Sequence, residues 1–357
     1  MPKTSVKLED FEIVQTIGTG SFGTCRKVTR RCDGKAFVWK EIDYGEMTEK
    51  EKQLLVQEVN LLRELKHRYI VRYYDRIIER SESKLYIIME YCEGGDLATL
   101  ISSRKASGQA LDEEFVWKVL HQLLQALEEC HKKRAGVHKV VHRDLKPANV
   151  FLTANNDVKL GDFGMARILH HNFSLAKTFV GTPYYMSPEQ FNEDAYNEKT
   201  DLWSLGCLAY ELCALAPPFT APNQRVLSVK VRGGRFKRIP SPYSSGLQTV
   251  IASLLNTDPE QRPDIPALLH IVSDHICCSP GVPLIAPPPP PSSPPKAELD
   301  LRQREERIRE SEERLRLWEK ALHEKERHLR SLEMKLQRKQ SCAPQLSRSS
   351  LRGLNFR

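Results

Sequence analysis

The stretch His142-Arg143-Asp144-Leu145-Lys146-Pro147-Ala148-Asn149, with Asp162-Phe163-Gly164 beginning thirteen residues beyond it, holds the densest chemical information in the chain. Phosphoryl transfer needs positioned charge more than covalent chemistry, and this set offers it. In this reading Asp144 accepts the proton of an attacking hydroxyl and Lys146 neutralises charge building on the phosphoryl group. Asn149 and Asp162 supply oxygen ligands of the kind Mg2+ takes.

Upstream lie Gly18-x-Gly20-x-x-Gly23, then Lys40, then Glu58. A G-x-G-x-x-G that opens a helix marks a dinucleotide site. Here TCRKVTRR follows, rich in β-formers, so the glycines fall at the tip of a hairpin, where backbone N–H groups can approach phosphates. A plain glycine hairpin stays open for that motif taken singly, and a plain surface charge for Lys40 or Glu58. Together, a lysine held by a glutamate can pair the α- and β-phosphates of ATP. Downstream, Ser187-Pro188-Glu189 closes a loop of about twenty-five residues after Asp162.

The order glycine loop, lysine, helical glutamate, HRDLKPAN, DFG, SPE resembles that of the eukaryotic protein kinases over residues 11–275. The resemblance implies an α+β, two-lobed kinase fold, with a small lobe about 11–92, a large lobe about 93–275, and ATP with Mg2+ between them. It implies catalytic roles for Asp144, Lys146, Lys40 and Glu58, and metal ligation by Asn149 and Asp162. The nucleotide would lie under Ile17, Gly18, Thr19, Gly20, Ser21, Phe22, Gly23, Thr24 and Cys25. Met89 would be the gatekeeper, and Glu90 to Cys92 the hinge that meets adenine. Asp201 resembles the aspartate that braces the catalytic loop, and Arg262 the ion-pair partner of Glu189. Lys146, two residues after Asp144, and Thr182 in GTPYYMSPE are the Ser/Thr-kinase form. Three departures remove no catalytic group: Val38 in place of the usual adenine-roof alanine, Cys25 in place of a valine, and Ser187 in place of alanine.

VWKEIDYGEM, RYYDRII, MEYCEGGDL, the basic insert HKKRAGVHKVVHRD and a heptad tail resemble the NIMA-related kinases, nearest their centrosomal mitotic branch with a leucine zipper. That implies protein substrates, centrosomal partners and a place in cytoplasm, centrosome, spindle pole and nucleus. The tail is shorter than in that branch, which puts functions of a longer tail in doubt. A rival reading is a coiled-coil scaffold with incidental kinase activity. Arg143 is placed to meet a phosphate on the loop, with Ser174 and Thr178 as the expected phosphosites and Thr182 more structural. Tyr73 is a second regulatory candidate, able to hold the Glu58 helix away from Lys40. Cys25, with Lys40 close by, is expected to have thiolate character.

Composition sets the frame. The chain has 357 residues, 40% hydrophobic and 28% charged, which excludes a wholly disordered or collagen-like protein. No apolar run reaches membrane length, and MPKTSVKLED lacks the apolar core of a secretory signal. Nine scattered cysteines without a C-x-x-C pair read as reduced thiols. Residues 296–357 hold 17 Lys/Arg against 11 Asp/Glu, a net +6 of the total +8. The remainder is near neutral, so no nucleic-acid partner is expected, and no membrane.

Strand-like FEIVQTIG, TCRKVTRR, KAFVWKEID and LYIIMEY come first, with a helix over 48–66 opened by a Thr48/Glu51 capping box. Helices near 97–102, 112–131, 198–215 and 246–256 follow. Residues 276–296 are a proline-rich linker, open also to the reading of a ligand for proline-binding domains. Residues 297–340 carry Leu301, Ile308, Leu315, Leu322, Leu329 and Leu336 every seven residues, the stripe of a parallel coiled-coil homodimer. The second seam position is poor. It holds Arg304, Ser311, Trp318, Lys325 and Leu332 in one register, and Glu305, Glu312, Glu319, Glu326 and Glu333 in the other, so the dimer is expected to be marginal. Residues 341–357 read as a disordered tail.

Overall fold

The computed structural model describes residues 6–20, 23–132, 140–162, 183–192 and 197–278. The linker beyond Cys278, the heptad segment, Ser21, Phe22, the loop with Ser174, Thr178 and Thr182, and the side chains of Glu58, Cys277 and Cys278 lie outside the described residues.

Five antiparallel strands form the first sheet in the order β1-β2-β3-β5-β4. They are β1 (Phe11–Gly20), β2 (Gly23–Arg30), β3 (Ala36–Asp43), β4 (Tyr73–Glu79) and β5 (Lys84–Glu90). Side chains alternate between faces with period two. On one face Phe37 and Trp39 of β3 join Phe11, Val28, Tyr86 and Ile88 in an aromatic cluster. On the other, Ile42, Leu85 and Ile87 pack against Leu55 and Val59 of helix α1 (Glu49–Glu64). Thr48 caps α1 and closes the expected box with Glu51. The helix stops two residues short of the expected end because Leu65 turns extended, and its side chain is buried in the large-lobe core.

That core is built from α2 (Leu97–Ser107), α3 (Glu113–His131), α4 (Pro188–Phe191), α5 (Glu198–Ala214), α6 (Gln224–Gly233), α7 (Ser245–Leu254) and α8 (Ile265–Cys278). Helix α5 is buried from Thr200 through Tyr210 on every face, as a central helix must be, and α3 and α7 pack against it. Six strands and α-helices among the described residues were not expected from the sequence: β4, the short hairpin β6 (Val150–Leu152) and β7 (Val158–Leu160), α4, α6 and α8. The linker was placed from 276, but α8 reaches Cys278. Its first proline is Pro280, and helices usually end at or before the residue preceding a proline.

The segment between α1 and β4 joins the large-lobe sheet. Leu160 N–H donates to Tyr69 O at 2.8 Å and Val71 N–H to Leu160 O at 2.8 Å, in a parallel bridge at Ile70. No helix among the described residues is long and apolar enough to cross a membrane.

Candidate active site

The β6–β7 hairpin explains why thirteen residues separate Asn149 from Asp162. Val150 pairs with Leu160, Phe151 with Lys159 and Leu152 with Val158. The next rung outward joins Gly161 N–H to Asn149 O at 3.0 Å, so Asn149 and Asp162 emerge beside each other. A 3-10 turn, Pro147–Asn149, feeds the hairpin. Asn149 Nδ2 donates to Asp144 O at 2.7 Å and to Asp144 Oδ2 at 3.0 Å. Lys146 Nζ donates to the same Oδ2 at 2.8 Å.

Asp201, 1% exposed on α5, holds this loop from below. Its Oδ2 accepts from His142 N–H at 2.8 Å and its Oδ1 from Arg143 N–H at 3.0 Å. His131 Nε2 meets Oδ2 at 2.9 Å, a contact that no sequence pattern announced. The His142 ring reaches Gly161 O at 2.9 Å and so joins the loop to the segment before Asp162. Arg143 (φ 69°) and Asp162 (φ 54°) both stand in left-handed backbone, a strained state that surroundings must hold in place.

From the sheet side, Lys40 is 5% exposed and its Nζ donates to Asp162 Oδ1 at 2.7 Å. Lys40 also pairs across the sheet with Cys25, which in turn pairs with Gly18, and Val38 pairs with Met89. Directly opposed antiparallel residues share a face, so Cys25, Val38, Lys40 and Met89 all line the underside of the sheet. Gly23 (φ +122°) makes the turn possible, since a Cβ there would lie 1.9 Å from Glu41 O. Ile17 is 47% exposed. Glu58 lies on α1, but its side chain is outside the described residues.

The expected thiolate at Cys25 is a correction. Burial pushes the thiol up, Lys40 pulls it down, and Asp162 raises it again, with burial dominant. The Lys40 charge is shared with Asp162 and cannot offset the lost solvation. At the end of β5, the Glu90 carboxylate accepts from Arg72 N–H at 3.1 Å and from Lys159 Nζ at 2.9 Å, and Glu90 N–H is given to Arg72 O. Burial, reinforced by Glu90, pushes the neighbouring Cys92 thiol up to about 12. Tyr73 packs beside Ile42, Leu55 and Val59 on the α1 side, and burial raises its phenol.

Below the site, Arg262 and Glu189 form the expected ion pair, bidentate at 2.7 and 2.8 Å. Thr200 Oγ1 adds a bond to Glu189 at 3.1 Å. Tyr185 bonds to Glu211, a contact with no sequence signal.

The donor chemistry suits Mg2+. Asp162 offers carboxylate oxygen and Asn149, whose Nδ2 is engaged, offers amide oxygen. Mg2+ is held by one or two such groups together with substrate phosphates. Among the described residues no cluster of three His, Cys, Asp or Glu suits a metal held by protein alone.

A two-lobed α+β frame with this constellation between its sheet and its helices is that of a protein kinase. The protein kinase domain family matches residues 11–272, and the chain belongs to it. Members of this family use ATP and Mg2+ for phosphotransfer. Within it the chain is similar to the NIMA-related kinases. It is 62% identical over 263 residues to the serine/threonine-protein kinase Nek2 of Homo sapiens, covering 74% of this chain and 59% of that protein. It is 53% identical over 262 residues to a probable serine/threonine-protein kinase nek2 of Dictyostelium discoideum, covering 73% and 62%. The G2-specific protein kinase nimA of Emericella nidulans is 42% identical over 285 residues, covering 73% and 40%. The chain thus spans about three-fifths of the first two relatives.

Proposed function

We propose that the chain is a protein serine/threonine kinase that moves the γ-phosphate of ATP to Ser or Thr hydroxyls of proteins. The observation that carries this is the Asp144 cluster. Its Oδ2 is held by Asn149 and Lys146, which supports a role for the carboxylate as acceptor of the substrate hydroxyl's proton. Lys146 sits where it can neutralise the transferring group, and Lys40 serves the α- and β-phosphates. Asn149 and Asp162 would hold Mg2+, which when bound neutralises phosphate charge. Lys146 beside Asp144 favours hydroxyls of Ser and Thr.

A cell-cycle role is supported by the similarity to nimA, named as G2-specific. The motif resemblance adds the centrosome, spindle pole, nucleus and cytoplasm as sites of action. Activation is by phosphorylation at Ser174 or Thr178 in trans, with the heptad stripe of 297–340 bringing two copies together. A proline tether raises their effective concentration to about the millimolar scale.

The test is phosphoamino-acid analysis of a protein substrate labelled by purified chain and by Asp144→Asn. Labelled Ser or Thr that vanishes in the variant is expected. Labelling that persists in the variant, or falls on Tyr, overturns the reading.

A further inference from the structure

From residue 212 to residue 257 the chain contains six cations, Arg225, Lys230, Arg232, Arg235, Lys237 and Arg238, and no Asp or Glu at all. The remainder of the folded body is near charge balance, so this run is a local feature. The structure gathers it on one element. All six residues are exposed, on α6 and the loop that follows it. Several surface cations elsewhere meet carboxylates, as in Arg26–Glu41, Arg30–Asp33, Lys84–Glu41 and Lys132–Glu129. None of the six forms an ion pair among the described residues. Arg232 and Lys230 give hydrogen bonds to Asn192 Oδ1, Phe191 O and Thr220 O instead.

The surface is rigidly mounted. Leu227 and Val231 bury one side of α6. The Phe236 ring packs edge-on to Tyr210 and Phe219, and Ile239 N–H donates to Gln248 at 2.9 Å. Arg235, Lys237 and Arg238 are therefore displayed by a held loop, whose backbone adds little ordering cost on binding. On the exposed side of α6, Val226 is 39% and Val229 66% exposed, three residues apart and flanked by Arg225 and Lys230. Arg232 ties this element to the end of α4, the Ser187-Pro188-Glu189 helix.

We propose that the exposed face of α6 and its following loop, residues 225–238, dock an acidic protein segment in which carboxylates flank aliphatic residues. Charge complementarity selects the acid and speeds encounter. The valine pair selects a protein over a single-stranded nucleic acid, because surfaces that bind single strands add exposed aromatic rings for stacking. Phe236, the aromatic of this segment, is turned inward on Phe219 and Tyr210.

The test uses the full chain and a fluorescein-labelled peptide of repeating Glu-Glu-Leu-Glu, read by anisotropy at low and physiological salt. Arg225→Glu, Arg235→Glu, Lys237→Glu and Arg238→Glu are combined, leaving Arg232 and Lys230 to their structural bonds. Affinity should fall about tenfold or more and its salt slope should flatten. Val226→Ser with Val229→Ser should weaken the peptide about threefold. Single Arg→Gln changes at 225, 235 and 238, with thermal melting alongside, keep the result readable if the fourfold variant misfolds; each should weaken the peptide at unchanged melting temperature. Equal affinity in wild type and charge variants overturns the proposal. So does preference for a single-stranded DNA probe that ignores the valine changes, which would assign the surface to nucleic acid.

Discussion

Asp201→Asn isolates the support under the catalytic loop. The carboxylate accepts three bonds, from His142 N–H at 2.8 Å, Arg143 N–H at 3.0 Å and His131 Nε2 at 2.9 Å, at a site 1% exposed. Bonds to a charged acceptor contribute about 1.5–3 kcal/mol each. Asparagine keeps one acceptor oxygen and turns an NH2 toward the other donor, so at least one backbone bond is lost and two N–H groups oppose each other. Arg143, at φ 69°, already stores strain of about 1–3 kcal/mol. What remains of the holding energy is then comparable to the strain, and Asp144 should spend much of its time out of position. With 1.36 kcal/mol per decade, a loss of about 1.5–3 kcal/mol lowers kcat by about 10- to 100-fold. ATP binds away from this support, so its KM should move by less than about threefold. Steady-state kinetics on a serine peptide, with urea unfolding in parallel, reads both. If kcat stays within about threefold of wild type, the loop geometry does not depend on Asp201 and the reasoning fails.

Asp162→Ala should lower activity by more than about tenfold, over 1.4 kcal/mol of barrier. The Lys40→Met and Asp162→Ala losses should not add, because the two groups share a 2.7 Å contact; additive losses in the double variant would refute the coupling. For Glu189, burial raises its pKa, but the Arg262 bonds outweigh it and the carboxyl is held below its ordinary 4.5. A depressed acid stabilises above its unfolded pKa, and that stability is lost as pH falls below about 4.5 and through the folded value. Glu189→Gln should therefore flatten the acid limb of the stability curve and, by leaving Arg262 uncompensated, cost about 3–5 kcal/mol at neutral pH; an unchanged acid limb in urea melts at stepped pH would show that the pair does not carry it. Cys25 should react slowly with alkylating agents at neutral pH and faster as pH rises, since burial lifts its thiol. ATP should protect it, and pH-independent labelling indifferent to ATP would place the thiol elsewhere.

The strands around the glycine turn, the capped helix after Thr48 and helices α2, α3, α5 and α7 of the large lobe were legible in the sequence, because local periodicity and capping chemistry write them directly. Of the elements that escaped, β6 and β7 have three residues each, too few for a period to show. β4, α6 and α8 are longer, and α6 carries a local signal in its Asn223 cap and its buried stripe of Leu227 and Val231. Asp144, Asn149, Asp162 and Lys40 were equally legible as candidates, since the residue types and their order suggest the chemistry. Their assembly was not. Only the β6–β7 register sets Asn149 beside Asp162, and only the packing of α3 and α5 under the loop brings His131 and Asp201 to its backbone. Sequence proximity likewise gave Cys25 a helpful lysine. The folded chain buries the thiol and commits that lysine to Asp162. Residue type and local pattern act over a few positions along the chain. Burial, and the pairing of charges far apart in sequence, exist only once the chain has closed on itself.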